Sequence, residues 1–254
     1  HLALPLLKKT KQWDKYIYCL NGLRYCYLSK EDLDSARIVA EFAFEEGGKY
    51  LDKSDADYIG SISNLGSYHY EVKEDYGAAY SYYKQALEMV EDVEPPNQLL
   101  MGQLYNNIGA TFRKRGDFDA AKPFYQKALS LYSSVLPPNH TYLAILKNNL
   151  SQFYVNLKDL SAAKQALNEA GKILAINNEA EQKYFIEFNT SLAKIYEKED
   201  DLNSALDYLE IASSSSGAIL ALDADIQNAY GSINFKQGNY DKAIVYFDKA
   251  IELI

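Results

Sequence analysis

Apolar and polar positions along this chain follow the period of amphipathic helices, and one helix-turn-helix pattern keeps returning. Its clearest copy is Gly116-Asp117-Phe118-Asp119-Ala120-Ala121, a turn that opens an apolar face. Earlier copies are Glu31-Asp32-Leu33-Asp34-Ser35-Ala36 and Glu74-Asp75-Tyr76-Gly77-Ala78-Ala79. Later ones are Lys158-Asp159-Leu160-Ser161-Ala162-Ala163, Asp200-Asp201-Leu202-Asn203-Ser204-Ala205 and Gly238-Asn239-Tyr240-Asp241-Lys242-Ala243. The closing Ala steps along the chain by 43, 42, 42, 42 and 38 residues. A second Ala follows seven residues later in every copy: Ala43, Ala86, Ala128, Ala170, Ala212 and Ala250. Seven residues make two helical turns, so both Ala share one face and let another backbone approach.

A second amphipathic segment precedes each copy and carries a small residue near its middle. Examples are Asn64-Leu65-Gly66, Asn107-Ile108-Gly109, Asn149-Leu150-Ser151 and Ala229-Tyr230-Gly231. A ring follows three residues later at Phe112, Tyr154 and Tyr196, and large against small predicts close helix pairing. The unit is helix A, a short turn, and helix B. Twelve helices are predicted, near 12–29, 32–48, 54–73, 75–92, 96–115, 117–135, 138–157, 159–174, 178–198, 201–214, 217–237 and 239–254. Pro95-Pro96 and Pro137-Pro138 are expected to open helices A of repeats 3 and 4, because Pro suits a first helical position. Pro123 falls inside a helix B and is expected to bend it slightly. Ser213-Ser214-Ser215-Ser216-Gly217 reads as a loop that shortens the last step. No linker is long enough to divide domains, so residues 1–254 read as one array, with repeats near 12–48, 54–92, 96–135, 138–174, 178–214 and 217–254. The opening His1-Leu2-Ala3-Leu4-Pro5 and the apolar close Ala250-Ile251-Glu252-Leu253-Ile254 suggest a segment of a longer protein.

These features resemble the tetratricopeptide repeat (TPR) family. The resemblance rests on the small residue of helix A, the following ring, the Asp-aromatic turn and the two Ala of helix B. It implies an all-α, right-handed superhelical solenoid of about six repeats, with helices A lining a concave surface. The usual unit has about 34 residues, so steps of 42 mean longer helices. Leu136-Pro137-Pro138-Asn139-His140-Thr141-Tyr142-Leu143-Ala144 and Ala121-Lys122-Pro123-Phe124-Tyr125 are similar to the kinesin-light-chain type.

Composition narrows the chemistry. The net charge of −9 argues against nucleic acid and against a polybasic grip on lipid. No apolar run nears the ~20 residues a membrane span needs. With two Cys there is no disulfide framework, and a reducing, cytoplasmic setting fits. Cys19 and Cys26 share a helix face and read as core packing, with a redox switch as the alternative. His1, His69 and His140 are scattered without metal-ligand spacing; His69 reads as structural and His140 as a helix N-terminal contact. The acidic runs at 91–94 and 197–201 lack calcium-loop order, and phosphate-loop patterns are absent. Neither an enzyme nor a cofactor is expected. Of the 23 Tyr, Tyr27, Tyr82, Tyr83, Tyr125, Tyr154 and Tyr196 take packing positions, whereas Tyr18 and Tyr25 are candidates to face a groove.

One series of residues exceeds what packing demands. In repeats of this kind the residue two before the small one of helix A faces the groove, which places Asn64, Asn107 and Asn149 there. The preceding position holds Asn106 and Asn148, with Asn21 and Asn228 in the outer repeats. An amide both donates and accepts, so a row of them can hold the backbone of an extended peptide of any sequence. Asn is also a poor mid-helix residue, so its recurrence needs a reason. The alternative is bonding to neighbouring helices. The resemblance implies a groove of Asn64, Gln103, Asn106, Asn107, Arg113, Asn148, Asn149, Gln152 and Lys194. The family's clamp for C-terminal carboxylates is not matched, since Asn21 and Tyr25, then Asn106 and Ala110, stand at its positions. The expected function is a non-enzymatic module binding a protein or peptide segment. The alternative is a sensor arm of a larger signalling protein, such as a TPR-associated caspase-like protease or a peptide-responsive regulator.

Overall fold

The computed structural model describes residues 3–28, 30, 32–174, 182–214 and 220–253. Most of the loop expected over 213–217, the first residues of the helices expected from 178 and 217, and His1 lie outside them. Among the described residues every element is an α-helix. The chain packs as two compact units, His1–Val135 and Leu136–Ile254.

The first unit holds α1 (Ala3–Lys9) and three hairpins. These are α2 (Trp13–Leu28) with α3 (Leu33–Tyr50), α4 (Ala56–Glu71) with α5 (Tyr76–Glu91), and α6 (Gln98–Lys114) with α7 (Phe118–Val135). Each helix A also touches the next, α2 on α4 and α4 on α6. The second unit repeats the plan with α8 (Thr141–Asn156) on α9 (Leu160–Leu174), α10 (Gln182–Lys198) on α11 (Leu202–Ser214), and α12 (Leu220–Lys236) on α13 (Tyr240–Glu252). Here α8 touches α10 and α10 touches α12.

The recurrent turn explains itself. The residue before the Asp, or before Asn239 in the last copy, takes a left-handed backbone at Glu74, Gly116, Lys158, Asp200 and Gly238, with φ between 50° and 78°. That conformation ends helix A. The Asp N–H then returns to the last turn of helix A, as Asp117 does to the Phe112 carbonyl at 3.0 Å. Its carboxylate caps helix B: Asp32, Asp75, Asp117, Asp159 and Asp201 accept from the N–H of Ser35, Ala78, Ala120, Ala162 and Ser204 at 2.9–3.1 Å.

All twelve motif Ala are buried, from Ala36 and Ala43 to Ala243 and Ala250. The ring that faces the small residue of helix A differs from the one expected. A Cβ on Gly66 would meet the Tyr83 ring at 2.7 Å, on Gly109 the Tyr125 ring at 2.9 Å, and on Gly231 the Phe247 ring at 2.6 Å. These rings belong to helix B, three residues before its second Ala. Phe112 and Tyr196 lie beside that contact instead, stacking on Phe124 and Tyr208 at 5.5 and 5.3 Å.

Other expectations need correction. A thirteenth helix, α1, precedes the array and sets Leu4 and Leu7 against the α2–α3 pair. The two Pro pairs do not begin helices A. Asn97 and His140 are the caps, because each side chain accepts a backbone N–H, from Leu100 and Tyr142, that Pro has no means to bind. Cys26 is exposed rather than packed in the core, and Cys19 is half-buried. Pro123 lies within α7 as expected.

Ala128 has no solvent exposure, so Ala128→Leu overpacks its site and is expected to cost ~1–3 kcal/mol in a denaturant titration. Lys158 holds φ at 62° without the freedom of glycine, so Lys158→Gly is expected to gain about 0.5–1 kcal/mol in the same titration.

Candidate functional site

Helix periodicity gathers the candidate residues of the first unit. Gln103, Asn106, Asn107 and Arg113 fall along one stripe of α6, and α4 sets Asn64 on the neighbouring helix. In the second unit Asn148, Asn149 and Gln152 share a face of α8, while Lys194 stands on α10. The structure thus brings the candidates together in two groups, one in each unit.

Their bonding states differ. Asn64 is engaged on both atoms of its amide. Its Nδ2 donates to Asn21 Oδ1 at 3.0 Å, and its Oδ1 accepts from Arg24 Nη1 at 3.0 Å. Asn21 Nδ2 in turn donates to the Asp57 carbonyl at 3.1 Å. This chain ties α2 to α4. Asn106 is buried and donates to Asn107 Oδ1 at 3.5 Å. Half-buried Gln103 has no hydrogen bond among the described residues. Arg113 is buried, and its Nη2 donates to the Tyr70 hydroxyl at 3.5 Å.

In the second unit Asn149 is engaged within the protein. Asn148 Oδ1 is buried and unpaired. Half-buried Gln152 has no bond among the described residues. Lys194 Nζ lies 3.8 Å from Asp225 Oδ1 on α12.

Electrostatics add residues that the sequence reading missed. Burial pushes the Arg24 guanidinium below its ordinary value, and the Glu71 carboxylate opposes that shift. Burial raises Tyr70, while Arg113 pulls it down. Tyr125 is pushed up to about 12 by burial, with Arg113 beside it again opposing. Tyr83, also raised by burial, donates to Ser67 Oγ at 3.2 Å. The signal for Arg24 was available: it stands 43 residues before Ser67, in the same helix A register.

Other singled-out residues serve the fold or the surface. The His69 ring stacks on Tyr82 at 5.3 Å, and His140 caps α8 through Nδ1. Tyr18 and Tyr25 are both exposed on α2. Among the described residues no group of three or more His, Cys, Asp or Glu is placed to hold a metal ion. No helix there is long and apolar enough to cross a membrane.

The two fates of the amides predict different mutational costs. Asn64→Ala removes the acceptor of a buried guanidinium and is expected to cost about 1–3 kcal/mol. Gln103→Ala removes no bond and is expected to stay within ~0.5 kcal/mol. Urea unfolding of the two variants beside the parent checks both.

No curated protein matches the sequence. Among solved structures, aspartyl phosphate phosphatase F from Bacillus subtilis superposes with a TM-score of 0.66 at 18% identity, covering 94% of this chain and 60% of that one. BtubC (BKLC) from P. vanneervenii gives 0.64 at 19% identity, covering 89% and 87%. A putative kinesin light chain with nearly identical TPR-like repeats from Podosopora anserina gives 0.56 at 13% identity, covering 80% and 96%. These likenesses show the fold, a solenoid of helical hairpins. Family models described as tetratricopeptide repeat match residues 57–134 and 100–174, and again 224–254. The matches together cover more than half of the chain, which belongs to the tetratricopeptide repeat family.

Proposed function

We propose that this chain is a non-enzymatic interaction module that holds a peptide or protein segment along the polar faces of its helices A. The observation that carries the reading is the set of half-buried amide groups left without partners. Gln103 and Gln152 make no bond among the described residues, and Asn148 Oδ1 is unpaired. Packing alone gives no reason to hold such groups at half-buried positions, whereas an extended backbone offers each of them an N–H and a C=O.

Asn64 supports the site from behind. By tying α2 to α4 it fixes the spacing of the faces a segment would cross. Asn107 completes the proposed lining in the first unit, and Asn149 and Lys194 complete that of the second. The free thiols of Cys19 and Cys26 fit a reducing, cytoplasmic setting, and the net charge of −9 disfavours nucleic acid as partner. A regulatory arm of a larger signalling protein is the second reading. It is favoured by the likeness to aspartyl phosphate phosphatase F, of which this chain spans 60%.

Capture of a short random peptide library on the immobilised chain tests the proposal. The parent is expected to enrich peptides. Gln103→Ala with Asn107→Ala is expected to lower capture at least about tenfold, with an unchanged helical circular-dichroism spectrum. Full capture by that variant would place the partner elsewhere.

A further inference from the structure

The sequence contains four arginines, and the first unit buries two of them, Arg24 and Arg113, at 7% and 8% exposure. A guanidinium removed from water needs bonds and an opposing charge. Arg24 has both: Asn64 Oδ1 accepts from Nη1 at 3.0 Å, and the Glu71 carboxylate acts on it.

Arg113 does not. Its Nε is buried and unpaired. Its Nη2 reaches the Tyr70 hydroxyl only at 3.5 Å. No carboxylate of the described residues lies within ion-pair distance of it. The other side chains of its stripe, Gln103, Asn106, Asn107 and Ala110, are neutral. The tyrosines beside it supply no counter-charge either. Burial holds Tyr125 up at about 12 and raises Tyr70, so both hydroxyls stay protonated at neutral pH.

The site is therefore a guanidinium with spare donors, flanked by two hydroxyls, one of which also feels the Glu71 carboxylate, at the end of a row of amides. Arginine presents its donors in a planar fork that matches a carboxylate, and Tyr70, having accepted from Nη2, keeps its own hydrogen to donate. We propose that Arg113 anchors the carboxylate of an Asp or Glu side chain in a segment lying along α6, so that the partner is an acidic peptide. This rests on the groove reading and names its ligand class. The amides of the stripe would hold backbone, and Arg113 would select sequence.

The test uses the full chain with two probes. The first is the peptide library with one fixed position, Glu in one pool and Gln in the other, all C-termini amidated. The second is N-acetyl-glutamate amide against N-acetyl-glutamine amide at matched ionic strength, read as a shift in melting midpoint. The parent is expected to favour the Glu pool by about tenfold or more, since charge-assisted bonds to a partly dry site are strong. Arg113→Met is expected to reduce that preference to near parity. Without ligand it should melt at the same temperature as the parent or higher, because a buried unpaired charge is gone. Arg113→Lys keeps the charge but not the fork and is expected to retain only part of the preference.

Peptides bound without acid preference would overturn the proposal and leave the groove reading standing. Preference seen only with free C-termini would overturn the side-chain assignment. If no peptide binds, the groove reading fails, and the small probes decide alone. A midpoint shift with N-acetyl-glutamate amide, absent in Arg113→Met, would uphold the anion site, and no shift would overturn it. A lower midpoint for Arg113→Met without ligand would make Arg113 a structural residue and overturn the proposal.

Discussion

The contact on which the hairpins depend is a ring of helix B lying on bare backbone of helix A. Tyr83 on Gly66, Tyr125 on Gly109 and Phe247 on Gly231 leave no room for a Cβ. That approach sets the separation of the pair, and the Ala of helix B are buried at that separation. The polar stripe of α6 runs beside that contact, and at its end Arg113 lies next to Tyr125 of α7. The turn fits the same scheme: the left-handed residue ends helix A, and the next Asp caps helix B one residue later.

Within the first unit the polar stripe is divided between side chains bonded across helices and side chains, such as Gln103, that are not. Asn21, Asn64 and Arg24 use their donors and acceptors on one another. Asn64 lies 43 residues before Asn107, in the same motif context, yet has a different role. The difference is the residue in the Ser67 register of the preceding repeat. There α2 carries Arg24, whose guanidinium reaches across to the Asn64 oxygen. A position in a repeat gives an amide its direction, and the neighbouring repeat decides whether the amide is consumed.

That dependence explains what could be read from sequence and what could not. The all-helical fold, the hairpin order and the Asp turn follow from local spacing, because 3.6 residues per turn converts Ala seven apart into a face. The small residue of helix A was equally legible. Its partner ring was not, since the opposite helix chooses it: Tyr83 and Tyr125 recur three residues before the second Ala, a signal that needs pair geometry to interpret. The Pro pairs misled because Pro suits a helix start in general, whereas Asn97 and His140 offer caps one and two residues beyond them. Cys26 was misplaced for a related reason. Seven residues from Cys19 puts it on the same face, but that face is only half-buried at Cys19 and open at Cys26.

Charge gives the last constraint. A chain of net charge −9 repels an acidic segment at long range, so no general field draws such a partner in. Screening confines that repulsion to about 8 Å at physiological ionic strength. Inside that distance the local arrangement governs. No carboxylate of the described residues forms an ion pair with Arg113, although Glu71 acts on the neighbouring Tyr70; its stripe neighbours are neutral and the tyrosines beside it keep their protons. An acidic background with a buried, unneutralised guanidinium selects through contact rather than through attraction at a distance. As proposed, such a site would disfavour acidic surfaces in general and admit one carboxylate that fits the fork.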